Sequence, residues 1–179
     1  MYDVMFLPLN WIDNFDDVNN TALLILSSCE VEKEKLTPYY RAHCIHPATP
    51  LTYDDSSVFT DEIAISIADY IQALPNELDT LLILGDYEDL INPAVAAAIL
   101  RYKGLDEMKV WKNPHHRPNI EVYTKLCRTF GLQEAEDNTD TKIEINNTAH
   151  ERILMQKEYT RRFLEKVKAN PPMIIVRFD

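Results

Sequence analysis

The chain of 179 residues carries 29 acidic and 18 basic residues, which gives a net charge of −11 at pH 7. This length suits one domain around a single core, and the acidity disfavours direct binding to nucleic acid or to an anionic membrane surface. The sequence has no apolar run near the roughly 20 residues needed to span a bilayer and no secretory signal at its start. We therefore expect a cytoplasmic protein that does not bind membranes.

The three cysteines, Cys29, Cys44 and Cys127, are widely spaced and form no C-x-x-C pattern. An odd number at such spacing argues against a disulfide framework and against a structural zinc site. We expect buried, reduced thiols, and the sequence predicts no metal and no cofactor.

Short β-type runs alternate with helical patterns, which predicts an α/β fold with a mostly parallel central sheet flanked by helices. The predicted strands are residues 4–7, 22–27, 42–45 and 80–84. The last contains Leu81-Leu82-Ile83-Leu84 and is apolar on both faces, as is typical of a central parallel strand. We expect it in the middle of the sheet.

Two helices are predicted around that central strand. The first covers residues 61–74, with Thr60 as N-cap and apolar residues at helical spacing: Ile63, Ile67, Ile71 and Leu74. The second follows the strand, with Asn92 and Pro93 as N-cap and first helical residue, and its body is rich in alanine. The sequence therefore predicts a strand, a loop and a helix over residues 80–102.

A third helix is predicted to begin near Pro118 or Asn119 and to stop at Gly131. One face of this helix is apolar and contains Val122, Tyr123, Leu126, Cys127 and Phe130. This pattern predicts a helix that packs on the sheet and closes a domain over residues 1–131.

The last part of the chain, residues 132–179, is predicted as an extension packed on the same domain. Residues 133–142 resemble an exposed acidic linker, and Thr148 and Glu151 form a capping-box pattern at the start of a helix to about Lys168. Residues 173–178 predict a closing strand. The helix has a basic second half and an apolar stripe of Ile153, Leu154, Phe163 and Val167.

Residues 21–131 resemble, in the order and spacing of their elements, a protein tyrosine phosphatase of the dual-specificity type. In that family an early strand, an Asp-containing loop, a helix and a strand lead into a His-Cys-x5-Arg loop, then a Ser or Thr, and an alanine-rich helix. Here the corresponding segments are Leu81-Leu82-Ile83-Leu84, the loop from Gly85 to Pro93, and Ala94-Val95-Ala96-Ala97-Ala98-Ile99. Arg117-Pro118-Asn119 looks like the family's later Pro-Asn segment. The resemblance implies a three-layer domain.

The catalytic signature of the family is missing from this loop. Aligned without gaps, the nucleophile position falls on Gly85, the preceding histidine on Leu84, the phosphate-binding arginine on Ile91 and the following hydroxyl on Asn92. The chemistry needs a thiolate that attacks phosphorus and a guanidinium that holds the oxygens. The resemblance therefore implies a pseudophosphatase without Cys-dependent activity and with no catalytic residue.

The loop carries Asp86, Tyr87, Glu88 and Asp89 instead. Carboxylates at a helix N-terminus are stabilised by roughly 0.3–1 kcal/mol each, so we infer that they occupy the anion site in place of a ligand. Alternatively, Asp89 or Asn92 simply caps the next helix while the other residues are solvated.

Two further regions are candidates for a binding surface. Asp54 and Asp55 lie near the family's Asp-containing loop and either mark a relic general acid or form an ordinary turn, which we favour. Trp111, His115, His116 and Arg117 combine aromatic and basic character, which is frequent at interfaces. A metal site formed by the two histidines with Asp106 and Glu107 is less favoured than a surface loop.

The sequence favours a catalytically inactive phosphatase-like protein that acts as a binding or regulatory module for another macromolecule, expected to be a protein. One alternative is a metal-dependent hydrolase that uses Asp86, Glu88 and Asp89. Another is an acidic decoy that occupies a nucleic-acid-binding protein, although the basic C-terminal helix argues against it.

Overall fold

The computed structural model describes residues 3–15, 18–46, 59–86, 90–132 and 139–169. The four predicted strands are confirmed, each with bounds within one residue of the expected ones: β1 (Asp3–Pro8), β2 (Thr21–Leu26), β3 (Arg41–Ile45) and β4 (Thr80–Gly85). They form a parallel sheet in the order β1-β4-β2-β3. The α/β class and the interior position of β4 are therefore confirmed.

The two interior strands are buried on both faces because their apolar residues alternate between two cores. Leu24 of β2 and Ile83 of β4 belong to the larger core on one face of the sheet. Leu23 and Leu82, each one residue earlier, belong to the smaller core on the other face. A continuous apolar run is therefore needed in each strand, since neither face meets water.

Helices cover the two faces unequally, which gives a three-layer arrangement. The larger core lies under α2 (Asp61–Gln72), α3 (Ile91–Tyr102), α4 (Met108–Trp111) and α5 (Ile120–Thr129). The smaller core is covered by a 3-10 helix at Leu9–Asn14 and by the short α1 (Lys33–Leu36). None of the helices that the structure describes is both long enough and apolar enough to cross a membrane.

The predicted starts of α2 and α5 are confirmed by their caps, whereas α2 ends at Gln72, two residues before its predicted end. The Thr60 hydroxyl accepts a hydrogen bond from the backbone N–H of Ile63 at 3.4 Å. The Asn119 side chain accepts from the N–H groups of Glu121 and Val122 at 3.0 and 3.1 Å. Gly131 follows α5 with a φ of 75°, a left-handed conformation that glycine adopts without steric cost.

The predicted start of α3 is wrong by two residues. The helix begins at Ile91, and Leu90 at the N-cap position makes no side-chain capping hydrogen bond. Ile91 is buried in the larger core, so the helix begins early enough to place this apolar side chain inside. Asn92 consequently lies within the first turn, fully buried, and its Nδ2 donates to the carbonyl of Leu7 at 3.5 Å.

The C-terminal helix also begins earlier than predicted. α6 spans Thr139–Ala169, so residues 139–142 are helical and the Thr148–Glu151 pattern lies inside the helix instead of at its start. Burial of Lys142 and Asn146 against the rest of the chain holds the first turns in place. Residues 133–138, the side chains of Phe163 and Val167, and the predicted strand at 173–178 lie outside the described part of the chain.

Candidate binding site at the carboxyl ends of the strands

The position aligned with the nucleophile is the last residue of β4, where three strands end side by side. Gly85 pairs with Pro8 of β1 and with Leu26 of β2. A Cβ atom placed on Gly85 would lie 2.5 Å from the carbonyl oxygen of Leu26 and 2.6 Å from Oδ1 of Asn92. Because one of these atoms belongs to the backbone, a side chain fits here only if a strand or helix moves.

The two positions aligned with the phosphate-binding groups are part of the protein interior. Ile91 packs into the larger core. Asn92 is fully buried, and its Oδ1 has no hydrogen-bond partner among the residues that the structure describes. Asn92 therefore fills the space beside Gly85, and neither side chain reaches a surface from which it could contact a bound phosphate.

Asp86, the first carboxylate of the loop, is bound to the end of β2. Its Oδ2 accepts from the Ser27 hydroxyl at 2.7 Å, from the Ser28 N–H at 3.2 Å and from the Ser28 hydroxyl at 3.4 Å. No described hydrogen bond joins this carboxylate to an amide of α3. The hypothesis of a filled anion site at the start of α3 therefore gains no support from Asp86, and Tyr87, Glu88 and Asp89 lie outside the described residues.

Sequence reasoning missed the serine turn that receives Asp86. Ser27 is fully buried, and its hydroxyl oxygen also accepts from the N–H of Cys29 at 2.9 Å. His46 at the end of β3 donates through Nδ1 to the Ser27 carbonyl at 3.0 Å. The available signal was a pair of serines directly after a buried strand, since small hydroxyl residues commonly organise such turns.

The prediction of buried thiols is wrong for Cys29, which is exposed in this turn. A serine-organised turn after a strand faces solvent, and the side chain of Cys29 follows it outward. Cys44 is partly buried and Cys127 is buried, and burial raises the pKa of both thiols. Neither of these two cysteines has the lowered pKa of a nucleophilic thiol.

A cleft of about 400 Å³ lies beside Leu90, near the end of the 85–93 loop. One wall contains Leu90, Arg117 and the first turn of α5, and the other contains Ile143, Asn146 and Asn147 of α6. The N–H of Asn119 donates to the Leu90 carbonyl at 3.0 Å and joins the loop to α5. The cleft therefore brings together Leu90 of the 85–93 loop and Arg117, from two segments that the sequence predicted to share one binding surface.

The other members of the aromatic and basic segment are placed differently. Trp111 is only 1% exposed, so its prediction as a surface residue is wrong. Its ring packs edge-on against Tyr123 at 5.1 Å, and its Nε1 donates to Glu107 Oε2 at 3.4 Å. His115 is exposed, whereas His116 is partly buried and packs edge-on against Phe6 at 4.8 Å.

Below this segment lies a buried polar cluster that sequence reasoning did not find. The Tyr123 hydroxyl donates to Glu107 Oε2 at 2.6 Å and accepts from Lys142 Nζ at 2.6 Å and from Arg101 Nη1 at 3.0 Å. Lys142 and Arg101 also lie 3.0 and 3.6 Å from Glu107 Oε1. Residues from α3, α5 and α6, together with Glu107 just before α4, meet here.

This cluster has a structural role, because its polar groups are engaged with one another. Burial, with the hydrogen bond to Glu107, raises the pKa of Tyr123, so the phenol stays protonated and keeps donating. The carboxylate of Glu107 is fully engaged, which leaves it unsuited to the metal site considered above with Asp106 and the two histidines. Within the described ranges, no group of three or more His, Cys, Asp or Glu side chains is placed to hold a metal ion.

Asp54 and Asp55 lie outside the described residues, so their role stays a prediction.

Comparison with known proteins assigns no family to the chain, since no protein-family model, no curated protein and no solved structure matches it.

Proposed function

We propose that this protein is a catalytically inactive, phosphatase-like domain that works by binding another protein at the cleft beside the 85–93 loop. The family likeness comes from the resemblance of residues 21–131. The described elements support it, because β2, α2, β4, α3 and α5 follow one another in the order that the resemblance implies.

The observation that carries the proposed inactivity is the close packing around Gly85. The position that would hold a nucleophile has a carbonyl oxygen and an amide oxygen within 2.6 Å of any added Cβ. The position that would hold the arginine is an isoleucine in the core. Restoring the catalytic groups would therefore require rebuilding the end of β4 and the first turn of α3.

Binding is supported by the composition of the cleft. Arg117 and Asn147 are exposed on its two walls, and between them lie Leu90 and Ile143, which are partly buried. Such a mixture of apolar surface and accessible polar groups is typical of protein interfaces. A protein partner is also more compatible with a net charge of −11 than a nucleic acid or an anionic membrane.

The test is site-specific photo-crosslinking in the native host. A benzophenone amino acid at Asn147 probes the cleft, and the same group at Tyr40, exposed at the end of the 37–40 connection between α1 and β3, is the matched control. We expect one discrete protein adduct from position 147, reduced at least several-fold by Arg117→Glu, and no such adduct from position 40. Equal adducts from both positions, or none from position 147, would contradict binding at the cleft.

A further inference from the structure

α6 is attached to the rest of the protein by polar side chains spaced four residues apart. Lys142 binds Glu107 and Tyr123. Asn146 donates to the carbonyls of Trp111 and His116, both at 3.0 Å. His150 donates to the carbonyl of Pro114 at 3.3 Å. Residues at this spacing lie on one helical face, so a single polar stripe docks the helix.

The energetics of this stripe differ from those of an apolar interface. Among the described side chains of α6, the buried ones are Lys142 and Asn146, at 4% and 6% exposure, while Ile143, Ile145 and Ala149 are half-buried. Burying a lysine ammonium carries a desolvation cost that offsets much of its attraction to Glu107. The net free energy that stabilises docking of α6 is therefore small for the number of contacts that the helix makes.

The same stripe determines the shape of the connection between α4 and α5. The carbonyls of Trp111, Pro114 and His116 all accept hydrogen bonds from α6. This connection carries His115 and Arg117, and α6 itself forms one wall of the cleft. Movement of α6 would therefore release the connection and open the cleft in a single step.

We propose that α6 is a releasable strap, which undocks together with residues 112–119 while the sheet and α3 stay folded. Undocking removes the wall formed by Asn146 and Asn147 and thereby regulates access to the cleft. That regulatory role rests on the proposed function, whereas the undocking itself does not.

Native-state amide hydrogen exchange, followed by mass spectrometry on the full chain, tests the strap. We expect peptides from 139–150 and 112–119 to share one opening equilibrium, at least about tenfold more populated than the opening of β2, β4 and α3. Lys142→Met should increase exchange in both segments about tenfold or more and leave the sheet unchanged. Glu158→Gln, which removes exposed ion pairs in the second half of α6, should leave both segments unchanged.

The strap is refuted if 139–150 and 112–119 exchange only by the global opening of the sheet, or if Lys142→Met accelerates all regions equally. Asn146→Ala provides a second variant if Lys142→Met does not fold, because it removes two hydrogen bonds without leaving a charge unpaired, and the same outcomes apply to it. Separate opening of α6 without crosslinking at position 147 would keep the strap and refute the proposed binding site. Crosslinking at position 147 without separate opening of α6 would support the proposed binding site and refute the strap.

Discussion

α3 and α6 are both long helices packed on the same domain, and they are held by opposite means. Every residue from Ile91 to Ile99 of α3 is buried, and all but Asn92 are apolar. In α6 the buried described residues are a lysine and an asparagine. The contrast shows that one domain can contain a helix inseparable from its core and another whose position is set by a few directional contacts.

The difference follows from how each kind of contact scales. Apolar burial contributes about 25 cal/mol per Å² without requiring a particular geometry, so α3 gains from every turn. A hydrogen bond contributes roughly 0.5–1.5 kcal/mol net, and a buried polar group that loses its partner costs about 1–3 kcal/mol. Docking of α6 therefore depends on a small number of atoms, and single substitutions should separate its stability from that of the sheet.

The largest effect is expected from Ile99→Ala in α3. Removing a fully buried side chain from the larger core should lower the free energy of unfolding by about 2–5 kcal/mol. Urea denaturation followed by circular dichroism measures this loss. Ile65→Ala in α2 is the control, because that isoleucine is half exposed and its loss should cost far less. Similar losses for both variants would contradict the assignment of α3 to the core.

The next largest effect is expected from Gly85→Ala, where overpacking should lower the free energy of unfolding by about 1–3 kcal/mol. The added methyl group meets the Leu26 carbonyl, which cannot swing aside as a flexible side chain would. Thermal unfolding of the purified variant gives the change. An alanine variant as stable as the parent protein would show that the strand end has room for a side chain and would contradict a closed nucleophile position.

An effect of similar size but more localised is expected from Tyr123→Phe. The ring stays in place, while Arg101, Lys142 and Glu107 each lose a partner at its hydroxyl. We expect the free energy of unfolding to fall by about 1–3 kcal/mol. Hydrogen exchange should increase more in residues 139–150 than in β4. Tyr40→Phe, at an exposed tyrosine, should change neither quantity. A loss spread evenly over the sheet would contradict the separation of α6 from the core.

The smallest effect concerns the exposed second half of α6. Hydrogen bonds from Arg161 and then Arg162 lower the pKa of Glu158 from 4.5 to about 2. The contribution of this carboxylate to helix stability is therefore complete above pH 4.5 and is lost as the pH falls towards 2. Helicity measured by circular dichroism should show a small acid-dependent loss in this range that Glu158→Gln removes. An identical pH profile for the variant would contradict this assignment.

The parts of the fold that were predicted correctly are those governed by apolar periodicity and by caps. The runs of β2 and β4 and the Thr60 and Asn119 caps each carry a local signal. Lys142 and Asn146 carry none, because their burial depends on partners such as Glu107 and the Trp111 carbonyl, which are far away in sequence. A polar run with four carboxylates at 133–142 therefore predicted a linker where α6 begins.

For the candidate site, too, some residues were placed correctly from the sequence and others were not. The loop after β4 and the segment of Arg117 were both nominated from the sequence, and Leu90 of that loop lines one cleft with Arg117. Trp111 was placed on the surface because aromatic residues in a basic segment are common at interfaces, whereas its contacts with Tyr123 and Glu107 bury it. The serine turn that binds Asp86 became visible only when β2 and β4 were neighbours.

The proposed lack of phosphatase activity is tested most directly by turnover of p-nitrophenyl phosphate by the purified full chain, measured before and after its thiols are alkylated. With Gly85 at the nucleophile position and Ile91 at the arginine position, we expect no release of nitrophenol above the buffer rate in either sample. Turnover that alkylation abolishes, and that Cys29→Ser also abolishes, would show a working cysteine nucleophile and contradict the proposed function.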